Sequence, residues 1–98
     1  MDFKKLKIES LLHLKGQITL GVTINLNQED SVKNIINEIK SMYINKEIKV
    51  KTSEKEITTK ILDIDGYKSN YDFKKMNVFF QTDLDRNTDI ETDNEIIF

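Results

Sequence analysis

The sequence predicts a small α+β domain in which one amphipathic helix packs on a mixed or antiparallel sheet. Three observations support this fold class. Apolar and polar residues alternate over most of the chain, one segment switches to helical spacing, and 98 residues allow a single hydrophobic core. The predicted element order is ββαβββ. Residues 1–82 form the predicted domain, and residues 83–98 form an acidic C-terminal tail or an edge strand.

A hairpin is predicted for residues 6–26. Apolar residues occupy mainly the even positions of residues 6–14, and the same alternation resumes over residues 18–26 after Gly16. Glycine adopts the positive φ of a tight turn without strain, so Gly16 marks the turn. We expect the even-numbered apolar side chains on both strands to point into the core, and His13 to lie on the polar face.

A helix is predicted next, because the apolar spacing changes to the period of an α-helix. The apolar stripe consists of Val32, Ile35, Ile36, Ile39, Met42 and Tyr43. Asn27 or Asp30 is the expected N-cap, and Glu29 and Asp30 are expected in the first turn, where the helix dipole favours acids. Asn45 is the expected stop.

Three further strands are predicted, over residues 47–52, 56–64 and 75–82. The second of them changes the phase of its alternation partway along, which indicates a β-bulge. A loop over residues 65–72 separates it from the third, and the predicted tail begins at Asp83.

Parts of this pattern resemble a known family. They are the hairpin that closes at Gly16, the strand at residues 18–22 (ITLGV), the helix start at residues 31–35 (SVKNI) and the turn at residues 70–73 (NYDF). Together they resemble a ubiquitin-like β-grasp domain, which implies a scaffold commonly used for protein contacts. Residues 95–98 (EIIF) are not a Gly-Gly tail, so the resemblance does not imply covalent conjugation.

Composition suggests a compartment and a source. The chain has no Cys, so it has no disulfide framework, and no stretch has the apolar length of a secretory signal or a membrane span. We therefore expect a cytoplasmic protein that does not bind membranes. The sequence contains no Pro, Trp or Ala and is rich in Lys, Ile and Asn, as AT-rich codons would produce. A low-GC bacterium, or its phage or plasmid, is the expected source.

No catalytic, metal or cofactor site is predicted. Residues 63–66 (DIDG) are similar to the nucleophile motif of haloacid-dehalogenase-like phosphatases, but only 32 residues follow Gly66, too few for the remaining machinery. A turn in which the Asp side chains bond backbone amides is the favoured interpretation. His13 is the only histidine and has no cysteines to share a zinc ion with.

The acidic segment from Asp83 to Glu91 places oxygen ligands at alternate positions, as an EF-hand calcium loop does. Thr88 and Asn94 occupy the positions where that loop requires Gly and a bidentate Glu. A weak cation site therefore stays open, and a solvated acidic tail or edge strand is favoured.

Charge is unevenly distributed along the chain. Residues 1–60 carry eleven Lys against eight acids, whereas residues 61–98 carry three Lys and one Arg against nine acids. Lysines on the predicted strand 47–52 form a modest basic stripe. They lack the interleaved aromatic residues of single-strand readers, so nucleic acid is a possible but not a favoured partner.

Aromatic residues cluster instead at the loop, as Tyr67, Tyr71 and Phe73. Tyrosine is enriched at protein interfaces, but Tyr71 and Phe73 could equally plug one end of the core. The leading hypothesis is a non-enzymatic protein–protein interaction module of unknown oligomeric state. The alternatives are an acidic DNA-mimic inhibitor, of the anti-restriction or anti-CRISPR type, and a small accessory DNA-binding protein of a mobile element. The candidate contact residues are Tyr67, Tyr71, Phe73, Asp83, Asp85, Asp89 and Glu91.

Overall fold

Seven strands and one helix occupy the residues that the computed structural model describes, namely 2–27, 31–72 and 74–98. In chain order they are β1 (Lys5–Lys7), β2 (Ser10–Leu14), β3 (Gln17–Asn25), α1 (Val32–Tyr43), β4 (Glu47–Lys51), β5 (Glu56–Lys68), β6 (Lys75–Asp85) and β7 (Glu95–Ile97). One helix packed on an antiparallel sheet confirms the α+β class. The predicted ββαβββ order is corrected to βββαββββ.

The chain itself joins the two ends of the sheet. The strand order is β1-β7-β4-β5-β6-β3-β2, and every neighbouring pair is antiparallel. β1 and β2 stand at opposite ends of this order, yet only Ile8 and Glu9 separate them in the chain. The Ile8 N–H donates to the Asn94 carbonyl and the Glu9 N–H donates to the Gly21 carbonyl, each at 2.8 Å. One continuous segment therefore joins both ends of the sheet around the core.

β5 forms the opposite corner. Residues 56–60 pair with β4, and residues 61–68 pair with β6. The register shifts between Ile61 and Asp63, which confirms the predicted bulge. Since a bulge bends its strand and increases the local twist, β5 passes from one half of the sheet to the other here.

The helix begins and ends where the apolar stripe predicts. Ser31 is the N-cap, and its Oγ accepts from the Asn34 N–H at 3.4 Å. The expected capping role of Asn27 or Asp30 is thereby corrected; Glu29 and Asp30 lie outside the described residues. Asn45 has φ 66°, a left-handed conformation that fits its predicted role as the stop. Within the described parts of the chain, no helix is long and apolar enough to cross a membrane.

One end of the core is an aromatic cluster that joins four parts of the chain. Phe3 stacks on Tyr43 with ring centroids 5.4 Å apart, and its N–H donates to the Tyr43 hydroxyl at 2.7 Å. Phe98 lies 5.0 Å from Tyr43 and 5.7 Å from Phe80, again between ring centroids. The cluster fastens the N-terminal segment and the end of β7 to the end of α1.

The C-terminal segment differs from the acidic tail or edge strand expected for residues 83–98. β6 continues to Asp85, and β7 lies inside the sheet between β1 and β4. Ile96 is fully buried and pairs with Leu6 on one side and Val50 on the other. The apolar residues among the acids are therefore part of the core.

Candidate functional site

The most distinctive surface lies on the outer face of β2, β3, β6 and β5. Residues paired directly across adjacent strands point to the same face of a sheet. One outward row therefore runs from Leu12 through Thr19 and Gln81 to Asp63. A cavity of about 500 Å³ opens on this face, and we call it the outer cleft. Its lining residues are Leu12, Leu14, Thr19, Lys40, Asp63, Ile64, Asp65, Tyr67, Phe79 and Gln81.

Two irregularities of strand pairing lie beside the cleft. The β3–β6 register shifts between Gln17 and Thr19, and the β5–β6 register shifts next to Asp63. Buried Thr82 bonds at the first of them: its hydroxyl donates to the Ile18 carbonyl at 2.7 Å and accepts from the Leu84 N–H at 3.2 Å. Register shifts curve a sheet, and here they fall where its outer face is hollow.

One wall of the cleft is aromatic. The Phe79 ring covers Gly21, since a Cβ at Gly21 would lie 3.1 Å from the Phe79 Cε1 atom. Tyr67 is tilted against Phe79 with ring centroids 6.2 Å apart, and 57 % of its surface is exposed. An exposed aromatic ring held in place by a second ring is the type of residue that anchors protein interfaces.

The same wall carries carboxylates. Asp65 accepts from the Tyr67 hydroxyl at 2.7 Å and from the Gly66 N–H at 2.9 Å. The first of these hydrogen bonds raises the pKa of the Tyr67 hydroxyl. Asp63 accepts from the Ile64 N–H at 2.8 Å, and its Oδ1 lies 4.0 Å from the Lys40 Nζ. With two carboxylates and one ammonium group, the lining has a net negative charge.

The opposite wall is aliphatic and corrects a prediction. Leu12 and Leu14 were expected to point into the core, but 41 % and 50 % of their surfaces are exposed. Alternation changes phase after Ile8, where the chain leaves β1 for β2. Leu11, which pairs with buried Leu20, takes the inward direction instead.

Of the two predicted aromatic contact residues that the structure describes, Tyr67 lines the cleft and Tyr71 does not. Tyr67 lies on β5, because that strand runs to Lys68 and the predicted 65–72 loop begins only after it. Tyr71 is completely exposed, so it does not plug the core as the alternative interpretation required. Its N–H donates to the Ser69 Oγ at 3.2 Å. Phe73 lies outside the described residues.

The predicted acidic contact residues lie elsewhere. Asp83 accepts from the Thr59 hydroxyl and from the Lys60 N–H, and both bonds lower the pKa of its carboxyl group. Asp85 accepts from the Asn87 N–H at 2.8 Å. Asp85 pairs near one end of β6 and Tyr67 near the other, roughly 26 Å apart at the rise of an antiparallel strand. The aromatic and acidic candidates therefore do not form one surface.

Asp89 and Glu91 line a separate polar cavity of about 170 Å³ beside the 52–55 turn. Across the part of the chain that is described, no group of three or more His, Asp or Glu side chains could hold a metal ion. His13 is exposed on β2, as expected.

The lysines of β1 and β4 do not form a continuous basic stripe. Lys51 stands between Glu56 on β5 and Glu95 on β7, and Glu95 also stands opposite Lys7 on β1. The Lys7 Nζ lies 3.1 Å from an Asp93 carboxylate oxygen, and this interaction raises the pKa of Lys7. Charges of opposite sign thus alternate across this face.

The residues that sequence reasoning missed are Leu12, Leu14, Phe79 and Lys40. The length of the turn would have shown that the two leucines point outward. A two-residue turn pairs even positions of β2 with odd positions of β3, so Leu12 and Leu14 cannot share a face with Ile18 and Leu20. Comparisons with protein-family models, with curated proteins and with solved structures find no match, and the β-grasp resemblance is not confirmed.

Proposed function

We propose that the chain is a non-enzymatic protein-binding module that uses the outer cleft to hold a segment carrying both apolar and basic side chains. The observation that carries this proposal is the composition of the cleft. Exposed Leu12 and Leu14 form one wall of a concave surface, and exposed Tyr67 forms the opposite wall together with Asp63 and Asp65. Monomeric proteins rarely leave such residues together on a surface that binds nothing.

The negative charge of the cleft favours a partner with basic side chains. The two carboxylates are already oriented by backbone N–H groups, so they need little rearrangement to accept hydrogen bonds from Lys or Arg. Lys40 lies near Asp63 but at 4.0 Å and on the exposed surface, an arrangement of low strength that a partner can replace. Tyr67 offers an aromatic face to the same cation.

The two alternatives receive less support. A DNA mimic requires a row of available carboxylates, whereas Asp83 and Asp93 bond within the chain and Glu95 lies 3.4 Å from Lys5. A DNA-binding role requires a basic patch, whereas Lys7 and Lys51 alternate with Glu95 and Glu56.

Selection from a random-peptide display library tests the proposal. The wild-type chain is expected to enrich peptides that combine Leu or aromatic residues with Lys or Arg. Tyr67→Ala is expected to weaken the selected peptides about tenfold or more, as truncation of an aromatic anchor does. The paired variant Asp63→Asn/Asp65→Asn keeps the acceptors for the Ile64 and Gly66 N–H groups, and is expected to remove only the preference for basic peptides.

The matched control is Asp89→Asn/Glu91→Gln, which removes the same charge beside the polar cavity. It is expected to leave peptide selection unchanged. The proposal is wrong if no peptide is enriched over the bare support, or if the control alters selection while the cleft variants do not.

A further inference from the structure

β2 is an edge strand, and no described residue pairs with its outer side. It pairs only with β3, and among the described residues no further backbone hydrogen bond reaches residues 10–14. The strand reads SLLHL and carries no acid or lysine. Leu12, His13 and Leu14 are consecutive and all exposed, so neither face of this part of the strand is covered.

The turn geometry identifies the unpaired groups. Lys15 and Gly16 have φ 52° and 79° and form a two-residue turn, so the flanking Leu14 and Gln17 form a hydrogen-bonded pair. Hydrogen-bonded and non-hydrogen-bonded pairs alternate along an antiparallel ladder. Leu11 and His13 therefore direct their N–H and C=O groups away from β3.

β5 forms the other exposed edge of the four strands β2, β3, β6 and β5, and its N–H groups are protected by side chains. On β5 the N–H groups of Ile64 and Gly66 are occupied by the carboxylates of Asp63 and Asp65. Charged side chains at an edge are a common protection against pairing with another chain. β2 carries no Asp, Glu, Lys or Arg, and no described side chain occupies its outward N–H groups, so its edge is available for pairing.

The segment is complementary to itself. Antiparallel pairing of two copies about Leu12 places Leu11 opposite His13 of the second copy, so the unpaired groups of both residues meet. The same register places exposed Glu9 next to exposed Lys15 of the second copy, and two-fold symmetry repeats this contact. We infer that β2 is a homodimer interface in which two copies pair antiparallel about Leu12.

The pairing joins the outer faces of the two copies into one eight-stranded surface. The exposed Leu12 side chains meet at its centre, beside the leucine wall of each outer cleft. The inference does not depend on what the cleft binds.

Charge reversal tests both the interface and its symmetry. Glu9→Lys makes both end contacts repulsive, and Lys15→Glu does the same with opposite sign. Each single variant is expected to raise the dimer dissociation constant by about tenfold, measured by sedimentation equilibrium at low salt. An equimolar mixture of the two variants is expected to restore the dimer, because every end contact then joins opposite charges. Lys33→Glu on α1 and Glu54→Lys in the 52–55 turn are the matched controls.

Amide hydrogen exchange locates the interface independently. The Leu11 and His13 amides are expected to exchange more slowly as protein concentration rises, whereas the Leu12 and Leu14 amides, already bonded to β3, stay unchanged. A chain that remains monomeric up to about 1 mM overturns the inference. A dimer that the single reversals do not weaken also overturns it. Peptide selection by the cleft should be unaffected by either reversal, so the two proposals fail separately.

Discussion

Asp83 shows how an apparently solvated acid becomes a structural residue. Its carboxylate accepts from the Thr59 hydroxyl and from the Lys60 N–H, both on β5. Thr59 is almost fully buried, so its hydroxyl depends on this acceptor for its hydrogen bond. The Thr59 bond contributes most to lowering the pKa of Asp83, followed by the Lys60 bond. The residue fastens β6 to β5 at the corner of the sheet.

Replacing Asp83 with Ala is expected to destabilise the fold in a pH-dependent way. The pKa of the carboxyl group is lower in the folded chain than its ordinary value of 3.8, so its contribution is complete above about pH 5. The contribution is lost as pH falls through the folded pKa. At pH 7 we expect a loss of about 1 kcal/mol in the free energy of unfolding, measured with urea. The difference between wild type and variant should shrink at pH 3.

Asp89→Ala makes the same charge change in the connection after β6 and serves as the control for the Asp83 prediction. A loss that is equal at pH 7 and pH 3 for Asp83→Ala would assign the effect to packing rather than to the carboxylate.

At the scale of elements, α1 and β5 meet at Gly66. The methyl end of Ile36 occupies the space where a Cβ of residue 66 would lie; the Ile36 Cγ1 atom is 2.9 Å and the Met76 Cε atom 3.0 Å from that position. A glycine in mid-strand weakens the strand itself and often marks the close approach of another element. Here it allows the buried face of the helix to lie directly on the sheet.

Gly66→Ala is therefore expected to destabilise the fold by about 1–3 kcal/mol, because a methyl group is forced into a filled contact. Ile36→Val removes the Cδ1 atom and should cost about 1 kcal/mol alone. The double variant should lose less free energy of unfolding than the sum of the two single losses, because the shortened side chain makes room for the methyl group. Chemical denaturation of the four chains measures this coupling, and strict additivity would show that Ile36 does not restrict residue 66.

Comparison of α1 with the β5 segment around Gly66 shows which elements could be predicted from sequence. The α1 stripe is a local periodicity, and its predicted residues are those of the observed helix. The DIDG segment has the local features of a turn but lies within β5. Its Asp side chains do bond backbone amides, as a turn would require, but the bonded N–H groups belong to the strand edge. Pairing with β6 and contact with α1 override the local preference, and neither is visible in the segment.

At the scale of the whole molecule, β7 is the strand through which β1 joins the sheet. This strand has three residues, and its partners β1 and β4 come from the start and the middle of the chain. Acidic residues precede its apolar residues in sequence, so composition predicts a solvated tail. Only pairing with β1 and β4 gives Ile96 a buried position, and no local pattern encodes that arrangement. The outer cleft could not be predicted from sequence for a related reason. Its walls come from β2, β5, β6 and α1, which only the fold brings together.

The two neighbouring isoleucines of β7 test how much this strand contributes to the stability of the fold. Ile96 is fully buried between β1 and β4, whereas Ile97 faces outward between Lys5 and Lys49 and is only partly buried. Ile96→Ala is expected to cost about 2–5 kcal/mol, a large part of the 5–15 kcal/mol that stabilises a typical domain. Ile97→Ala removes the same atoms and should cost about 1 kcal/mol or less, because its side chain leaves less apolar surface buried. Thermal unfolding followed by circular dichroism compares the two variants. Equal, small losses would mean that β7 is dispensable. A large loss confined to Ile96→Ala would establish that the buried pairing of β7 with β1 and β4 supports the fold.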